Sequence, residues 1–540
     1  MYRFWNILLI YFLLAYSCPG QEVDSNSIRI KIGETAWWCG VINQGELMPL
    51  KEGYAADFSD NYGNQIQPLL LSNAGQTIWS EGVFTVAVKN DTLFVLSEDS
   101  VLLFHETGST LQDAFQYASN TYFPPAGKLP DELLFSAPQY NTWIELQYNQ
   151  NQHDILQYAN DILNSGFPPG VLMIDDNWQE DYGKWDFHSG RFSDPGVMID
   201  SLHHMGFKIM VWICPFVSPD CDVYRMLESK GMLLRDSTGQ TAIIRWWNGA
   251  SGLLDLSNPE TVRWFLSQLD SLQSKYGIDG FKFDAGDPEF YQDLVSCRKI
   301  GPNDHCRLFA EIGLNYPLNE YRAMWKMAGQ PLVNRLRDKF HTWEDLHKLI
   351  PHILLQGLVG YNFTCPDMVG GGDFISFLPG AIMDQDLIVR SAQTHALMPM
   401  MQFSVAPWRI LDGEHLKAVK KAIEIRQHYT QLILNLAIKS ASTGEPVVRS
   451  MEYLFPHEGY HTIDDQFLLG DSILVAPFLG PGEGKRQVVI PEGIWKDWNG
   501  KHIRGPKVLD ITVELDVIPI FELVGKLNNN MNEKISGSNL

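Results

Sequence analysis

The chain reads as an α/β protein built on a (β/α)8 TIM barrel, flanked by an N-terminal β-sandwich and a C-terminal β-sandwich domain. Three observations predict this. Past Pro138, apolar strand-like runs alternate with amphipathic helical stretches, the texture of parallel βαβ units in a number that favours a closed barrel. On either side the residues instead form short alternating strands broken by turn residues, as in IRIKI and GKRQVVIP. A doubly wound open sheet is the alternative, and it loses ground because no GxGxxG opens a helix after a strand.

Taken in order, residues 1–20 read as a signal peptide: one Arg, an apolar run from Ile7 to Tyr16, then Ala15, Ser17 and Cys18 near the cleavage point. This predicts a secreted, periplasmic or otherwise extracytoplasmic protein. Cys18 stands where a bacterial lipoprotein carries its acylated cysteine, so a lipid anchor there is the alternative to free secretion. Residues 21–135 form the N-terminal sandwich, with GVFTVAV and TLFVL joined by a Lys89-Asn90-Asp91 turn. The barrel occupies residues 136–438 in the order TWIEL (strand), HDILQYANDIL (helix), GVLMIDD (strand), GVMIDSLHHMGF (helix), KIMVWICPF (strand), ETVRWFLSQLDSLQSKYG (helix) and GFKFD (strand). Residues 439–527 return to β texture, and 528–540 form a polar tail. Behind the leader, Cys297 with Cys306 is the expected local disulfide.

Composition narrows the partners. Lys and Arg number 41 against 64 Asp and Glu, a net charge of -23, so the basic field that nucleic acid or an anionic membrane requires is missing. No later stretch of about 20 apolar residues offers a membrane span. The 16 Trp, 28 Phe and 20 Tyr serve either large cores or platforms that stack on sugar rings.

In a barrel the chemistry lies where strands end, and three strands end in carboxylates: GVLMIDDNW in Asp175 and Asp176, GFKFDAGD in Asp284, and LVGYNFTCPD in Asp367. Strand alternation puts Lys282 and Asp284 on one face. If that face is the interior, the ammonium keeps the carboxylate ionised, the state a nucleophile needs; a structural ion pair is the competing reading.

From about Trp37 to Val524 the chain resembles glycoside hydrolase family 31, most closely its branch that includes the myogenesis-regulating glycosidase and related α-galactosidases. Three signatures carry the likeness: GFKFDAGD, RLRDKFHTWEDL, and the pair GEPVVRSMEY and DDQFLLGDSILVAPFLGPG. The resemblance implies Asp284 as nucleophile and Asp338, with Trp343 and Leu346 following at the family spacing, as acid/base. It implies substrate contacts from Asp175 and Asp176, Trp212 of VWICPF, Trp247 of WNG, Arg335 and Asp367 of PDMVGG. Family α-glucosidases carry Trp two residues before the nucleophile and a His near the end of a later segment; here those positions are Lys282 and Ser404. The lysine resembles α-galactosidases of the same clan, where an ammonium donates to sugar hydroxyls.

The implied reaction is exo-acting hydrolysis of terminal α-linked sugars, galactosides first, with net retention through a glycosyl-aspartate. The two carboxylates should then lie roughly 5 Å apart, with Asp338 the weaker acid because Lys282 steadies Asp284. No HxH or HExxH cluster suggests a metal, and no cofactor is expected. The expected partner is an oligosaccharide or glycoconjugate, with a homo-oligomer left open. Rival readings are an α-glucosidase or α-xylosidase of the same family, a sugar-binding protein on a degenerate hydrolase scaffold, and a Schiff-base lyase using Lys282, which would need that amine away from carboxylates.

Overall fold

The computed structural model describes residues 22–525. The predicted leader with Cys18 and the predicted tail lie outside these residues. Eight parallel strands form the central sheet in chain order: β1 (Gln139–Asn141), β2 (Val171–Ile174), β3 (Lys208–Ile213), β4 (Gly280–Phe283), β5 (Leu318–Tyr321), β6 (Asn334–Arg335), β7 (Thr364–Cys365) and β8 (Gln402–Phe403). β8 pairs back onto β1, and a parallel bridge from Val369 to Phe403 nearly closes the ring between β7 and β8.

Local chemistry sets the helices that separate these strands. Asn151 caps the helix Gln152–Asn164 by accepting from the Asp154 N–H. Asp194 and Asn258 cap two others, each followed by a proline at the first helical position. The second of these ends at Gly277, whose φ of 78° suits a residue without Cβ. One expected strand is a helix: TWIEL forms the short helix Trp143–Leu146, and the strand lies just before it at β1. Its alternating pattern misled because one helical turn and one short strand look alike over five residues.

Two antiparallel sheets make up the N-terminal part, one ordered Glu22–Asp24, Ser27–Lys31, Thr92–Leu96, Thr85–Val88, Ala55–Asp57. In the other, Gln65–Ser72 pairs with Trp37–Val41 and Gln76–Ser80, and also runs parallel to Met324–Trp325 from the segment between β5 and β6. One continuous apolar core therefore runs from Trp37 and Trp79 into the barrel. The helix Gly413–Thr443 carries through residue 438, where the sequence reading places a domain junction, and ends at Gly444. Beyond it a six-stranded sheet packs around its own cluster of Trp495, Phe521, Val488 and Met451.

The expected Cys297–Cys306 disulfide does not form; all six described cysteines are free. Cys306 is buried in the helix Pro302–Ile312 while Cys297 is exposed on the loop before it, so the two thiols face different environments. Among the described residues no helix is long and apolar enough to cross a membrane.

Candidate active site

Register across the barrel decides which side chains meet. Lys282 on β4 lies beside Trp212 on β3 and Glu320 on β5. Because side chains alternate along a strand, Asp284 and Arg322, two residues further along their chains, share that face at the strand mouths. They open into a cavity of about 520 Å3 whose wall includes Asp175, Asp176, Trp212, Trp247, Lys282, Asp284 and Asp338.

Asp284 is held from three sides. Its Oδ1 accepts from Arg322 Nε at 3.0 Å and from the Ala285 N–H at 2.9 Å, and its Oδ2 accepts from the Trp212 indole at 3.1 Å. Ala285 adopts a φ of 59°, a left-handed conformation unusual for a residue with a Cβ, and the turn it makes aims its N–H back at the carboxylate. Burial pushes the Asp284 carboxyl up, but Arg322, then Arg335 and Lys282, outweigh it and hold the group well below the usual carboxylate range. The cation expected to do this was Lys282. Its ammonium instead donates to Asp175 Oδ2 at 2.7 Å, and both side chains are about 5% exposed.

Asp338 lies just past β6, its side chain 54% open to the cavity. Arg335 Nη1 donates to its Oδ1 at 2.6 Å. The surrounding walls push this carboxyl up, Arg335 pulls it down, and Asp284 pushes it up again; the guanidinium prevails, and Asp338 stays below its ordinary value. The surroundings therefore do not hold Asp338 protonated, contrary to the sequence reading, because an arginine sits on it. Asp284 and Asp338 still differ in setting: one is clamped by three donors, the other half-exposed with one.

The chain matches the glycosyl hydrolases family 31 TIM-barrel domain over residues 135–336 and the glycosyl hydrolase family 31 C-terminal domain over 444–526. It belongs to glycoside hydrolase family 31. It is 32% identical over 429 residues to the myogenesis-regulating glycosidase of Mus musculus, a match that covers 77% of this chain and 60% of that protein. It is 25% identical to an α-xylosidase of Saccharolobus solfataricus over 75% of this chain and 58% of the relative. The chain thus spans about three fifths of these relatives. Among solved structures, a Flavobacterium johnsoniae family 31 dextranase complexed with glucose superposes with a TM-score of 0.82 at 20% identity, covering 94% of this chain and 68% of that one.

The family 31 positions inferred from sequence do not all face the cavity. Arg335 and Asp367 are not among its lining residues. Arg335, 1% exposed, spans Glu320 at 3.1 Å, Asp367 at 3.1 Å and Asp338. Asp367, at a φ of 71°, also accepts from the Lys339 N–H at 2.7 Å. Both residues therefore position the Asp338 segment from behind. Burial, then the charge of Asp338, raises the Asp367 carboxyl. Ser404 is likewise absent from the lining, its hydroxyl donating to the Gly371 carbonyl at 2.6 Å and propping the glycine loop beside Asp338. Trp212 and Trp247 both line the cavity, the first nearly buried and donating to Asp284, the second 52% exposed and edge-on to Trp246.

Asp176 accepts from the Tyr182 hydroxyl at 3.1 Å and from the Asn248 amide; burial, then the adjacent Asp175, raises its carboxyl to about 7.

Several wall residues escaped the sequence reading. Arg322 is chief among them: its Nη2 reaches Asp287 Oδ2 at 2.5 Å and its Nη1 the Gly63 carbonyl at 2.7 Å. It ends a barrel strand just as Asp284 does, so extending the strand-end search from acids to cations finds it. Trp143, donating to the Gly372 carbonyl at 2.9 Å, was hidden in the misread TWIEL strand. Asp60, Asn61, Tyr62 and Gly63 come from the N-terminal domain, and no local motif ties them to the barrel. Asn61 fastens that loop by donating to Asp287 at 2.9 Å.

Proposed function

We propose that the protein is a retaining, exo-acting α-glycosidase whose preferred substrates are terminal α-galactosides. The observation that carries this reading is the pairing of two carboxylates on one cavity with opposite settings: Asp284 clamped and ionised, Asp338 half-exposed on a separate strand end. Asp284 attacks the anomeric carbon and the glycosidic C–O bond breaks, while Asp338 passes a proton to the leaving oxygen. Asp338 then takes a proton from water, which attacks the glycosyl ester and frees Asp284. Asp338, which Arg335 holds below its ordinary value, takes up from solvent the proton it donates before the glycosidic bond breaks.

The choice of galactose rests on Lys282 and the Asp175–Asp176 pair. One Lys282 proton is committed to Asp175, which leaves two donors on a buried ammonium that lines the cavity. A hydroxyl of one configuration meets these two donors and its epimer leaves one of them unmet, a difference of about 3 kcal/mol or roughly a hundredfold. The α-xylosidase and dextranase named among the relatives favour the second reading, an α-glucosidase or α-xylosidase. A Schiff-base role for Lys282 is disfavoured by its contact with Asp175.

The test is kcat/KM on matched nitrophenyl α-galactoside, α-glucoside and α-xyloside, for the wild type and Lys282→Met. The expected wild type prefers galactoside by about a hundredfold, and the Met variant loses most of that ratio. A wild type that prefers glucoside or xyloside, or a ratio untouched by Lys282→Met, contradicts the assignment of galactose.

A further inference from the structure

A second cavity, larger than the catalytic one at about 770 Å3, opens between the helix Gly413–Thr443 and the C-terminal sheet. It shares no lining residue with the catalytic cavity. Its size falls within the range of about 300–1,000 Å3 usual for small-molecule sites.

The wall has an uncommon feature, a tryptophan at the tip of a β-hairpin. Trp498 lies in the turn between the long strands Gly484–Asp497 and His502–Val513, where Gly, Asn, Asp and Ser are the ordinary residues. The turn is rigid: Asp497 Oδ1 accepts from the Asn499 N–H at 2.9 Å and the Lys501 N–H at 2.8 Å, and Gly500 takes a φ of 82°. Trp498 packs against Phe521 with ring centroids 5.6 Å apart and planes at 83°, and it remains partly exposed in the groove wall. An indole fixed in this way loses little conformational freedom when a ligand stacks on it.

His428 and Tyr429 of the helix line the same groove. The Tyr429 hydroxyl donates to Glu522 Oε1 at 2.9 Å, and Lys496 closes the other oxygen at 2.6 Å, so the Glu522 charge is already satisfied. The lining as a whole sets two lysines against five carboxylates, among them Glu514 and Asp516. That balance repels phosphate, sulfate and uronate groups. A planar aromatic ringed by carboxylate and amide acceptors suits a neutral ring that shows C–H bonds on its face and hydroxyls at its edge.

We propose that this groove is a second carbohydrate-binding site, separate from the catalytic cavity, that holds a neutral oligosaccharide segment on Trp498. The choice of sugar as ligand rests on the glycosidase reading; the existence of the site rests on the groove itself.

The test is electrophoresis of the full chain through gels containing guar galactomannan, dextran or xyloglucan, with wild type, Trp498→Ala and Asp516→Ala. Each protein is also assayed for kcat/KM on nitrophenyl α-glycosides too small to span both cavities. The expected wild type is retarded by at least one polysaccharide, and both variants lose affinity, Trp498→Ala by about tenfold, while turnover of the small substrates stays within about twofold. If Trp498→Ala also lowers that turnover, its fold is disturbed and Asp516→Ala, which removes only a carboxylate, decides. Variants retarded like the wild type, or a wild type that no polysaccharide retards, overturn the proposal. Absent turnover of every nitrophenyl glycoside by the wild type counts against the glycosidase reading, while Trp498-dependent retardation still supports the groove.

Discussion

Arg322 sets the electrostatics of Asp284. Its guanidinium divides between Asp284, through Nε, and Asp287, through both terminal nitrogens, a planar fork that a lysine cannot reproduce. Replacing it by Met removes the cation that most strongly opposes the burial of Asp284, so the Asp284 pKa must rise. The acid limb of kcat/KM against pH, which reports ionisation of the free enzyme, should therefore move up toward neutrality in Arg322→Met, with Arg322→Lys in between. A limb that does not move means that Arg322 does not govern the ionisation of Asp284. The residue scale also shows where strand alternation is informative. It correctly set Lys282 and Asp284 on one inward face, because period two is geometric. It could not say which cation touches which acid, because Lys282 reaches across to β2 while Arg322 reaches back from β5.

At the scale of elements, the loop after β7 matters most. Gly370 and Gly371 have φ values of 104° and 68°, and the chain passes so close to Asp338 that a Cβ on Gly372 would lie 2.3 Å from its Oδ2. Ser404 on one side and Trp143 on the other hold that loop by its carbonyls. Gly372→Ala must push either the loop or the Asp338 carboxylate away. Turnover should fall by roughly tenfold to a hundredfold on glycosides with poor leaving groups, and less on dinitrophenyl glycosides, which need little protonation. Equal losses on both, or none, would show that the loop does not position Asp338 for proton transfer. The glycines were visible in the sequence as PDMVGG, but their partner was not, since Asp338 and Gly372 meet only once β6 and β7 pair. The misread TWIEL segment belongs to the same scale: five residues do not separate a strand from one helical turn, and register with β2 decided it.

Across the whole molecule, a charged layer fills the mouth of the barrel and the N-terminal domain covers one side of it. Arg335 sits at the centre of three carboxylates, and Gln402 from β8 closes on Glu320 at 2.6 Å. Removing one partner from such a cluster leaves buried acids uncompensated. Arg335→Met should cost about 3–5 kcal/mol of stability, read from denaturant midpoints at constant slope. A loss below about 1 kcal/mol would mean that the acids simply take up protons. The barrel itself was legible in the sequence because apolar runs alternating with amphipathic helices past Pro138 leave few alternatives. The loop Asp60–Gly63 was not, because Asn64 and Gln65 reach the Arg322 and Arg335 carbonyls across more than 250 residues of chain. Spacing along a sequence carries no trace of such a contact.

Whether Asp284 forms the covalent intermediate is read by trapping. The protein is incubated with 5-fluoro-α-galactosyl fluoride, digested with protease and analysed by mass spectrometry. The expected result is one added fluorogalactosyl group per chain on Asp284, with loss of activity that follows labelling. A label on any other residue, or a hydrolysed glycoside whose first-formed sugar has inverted configuration, would contradict it.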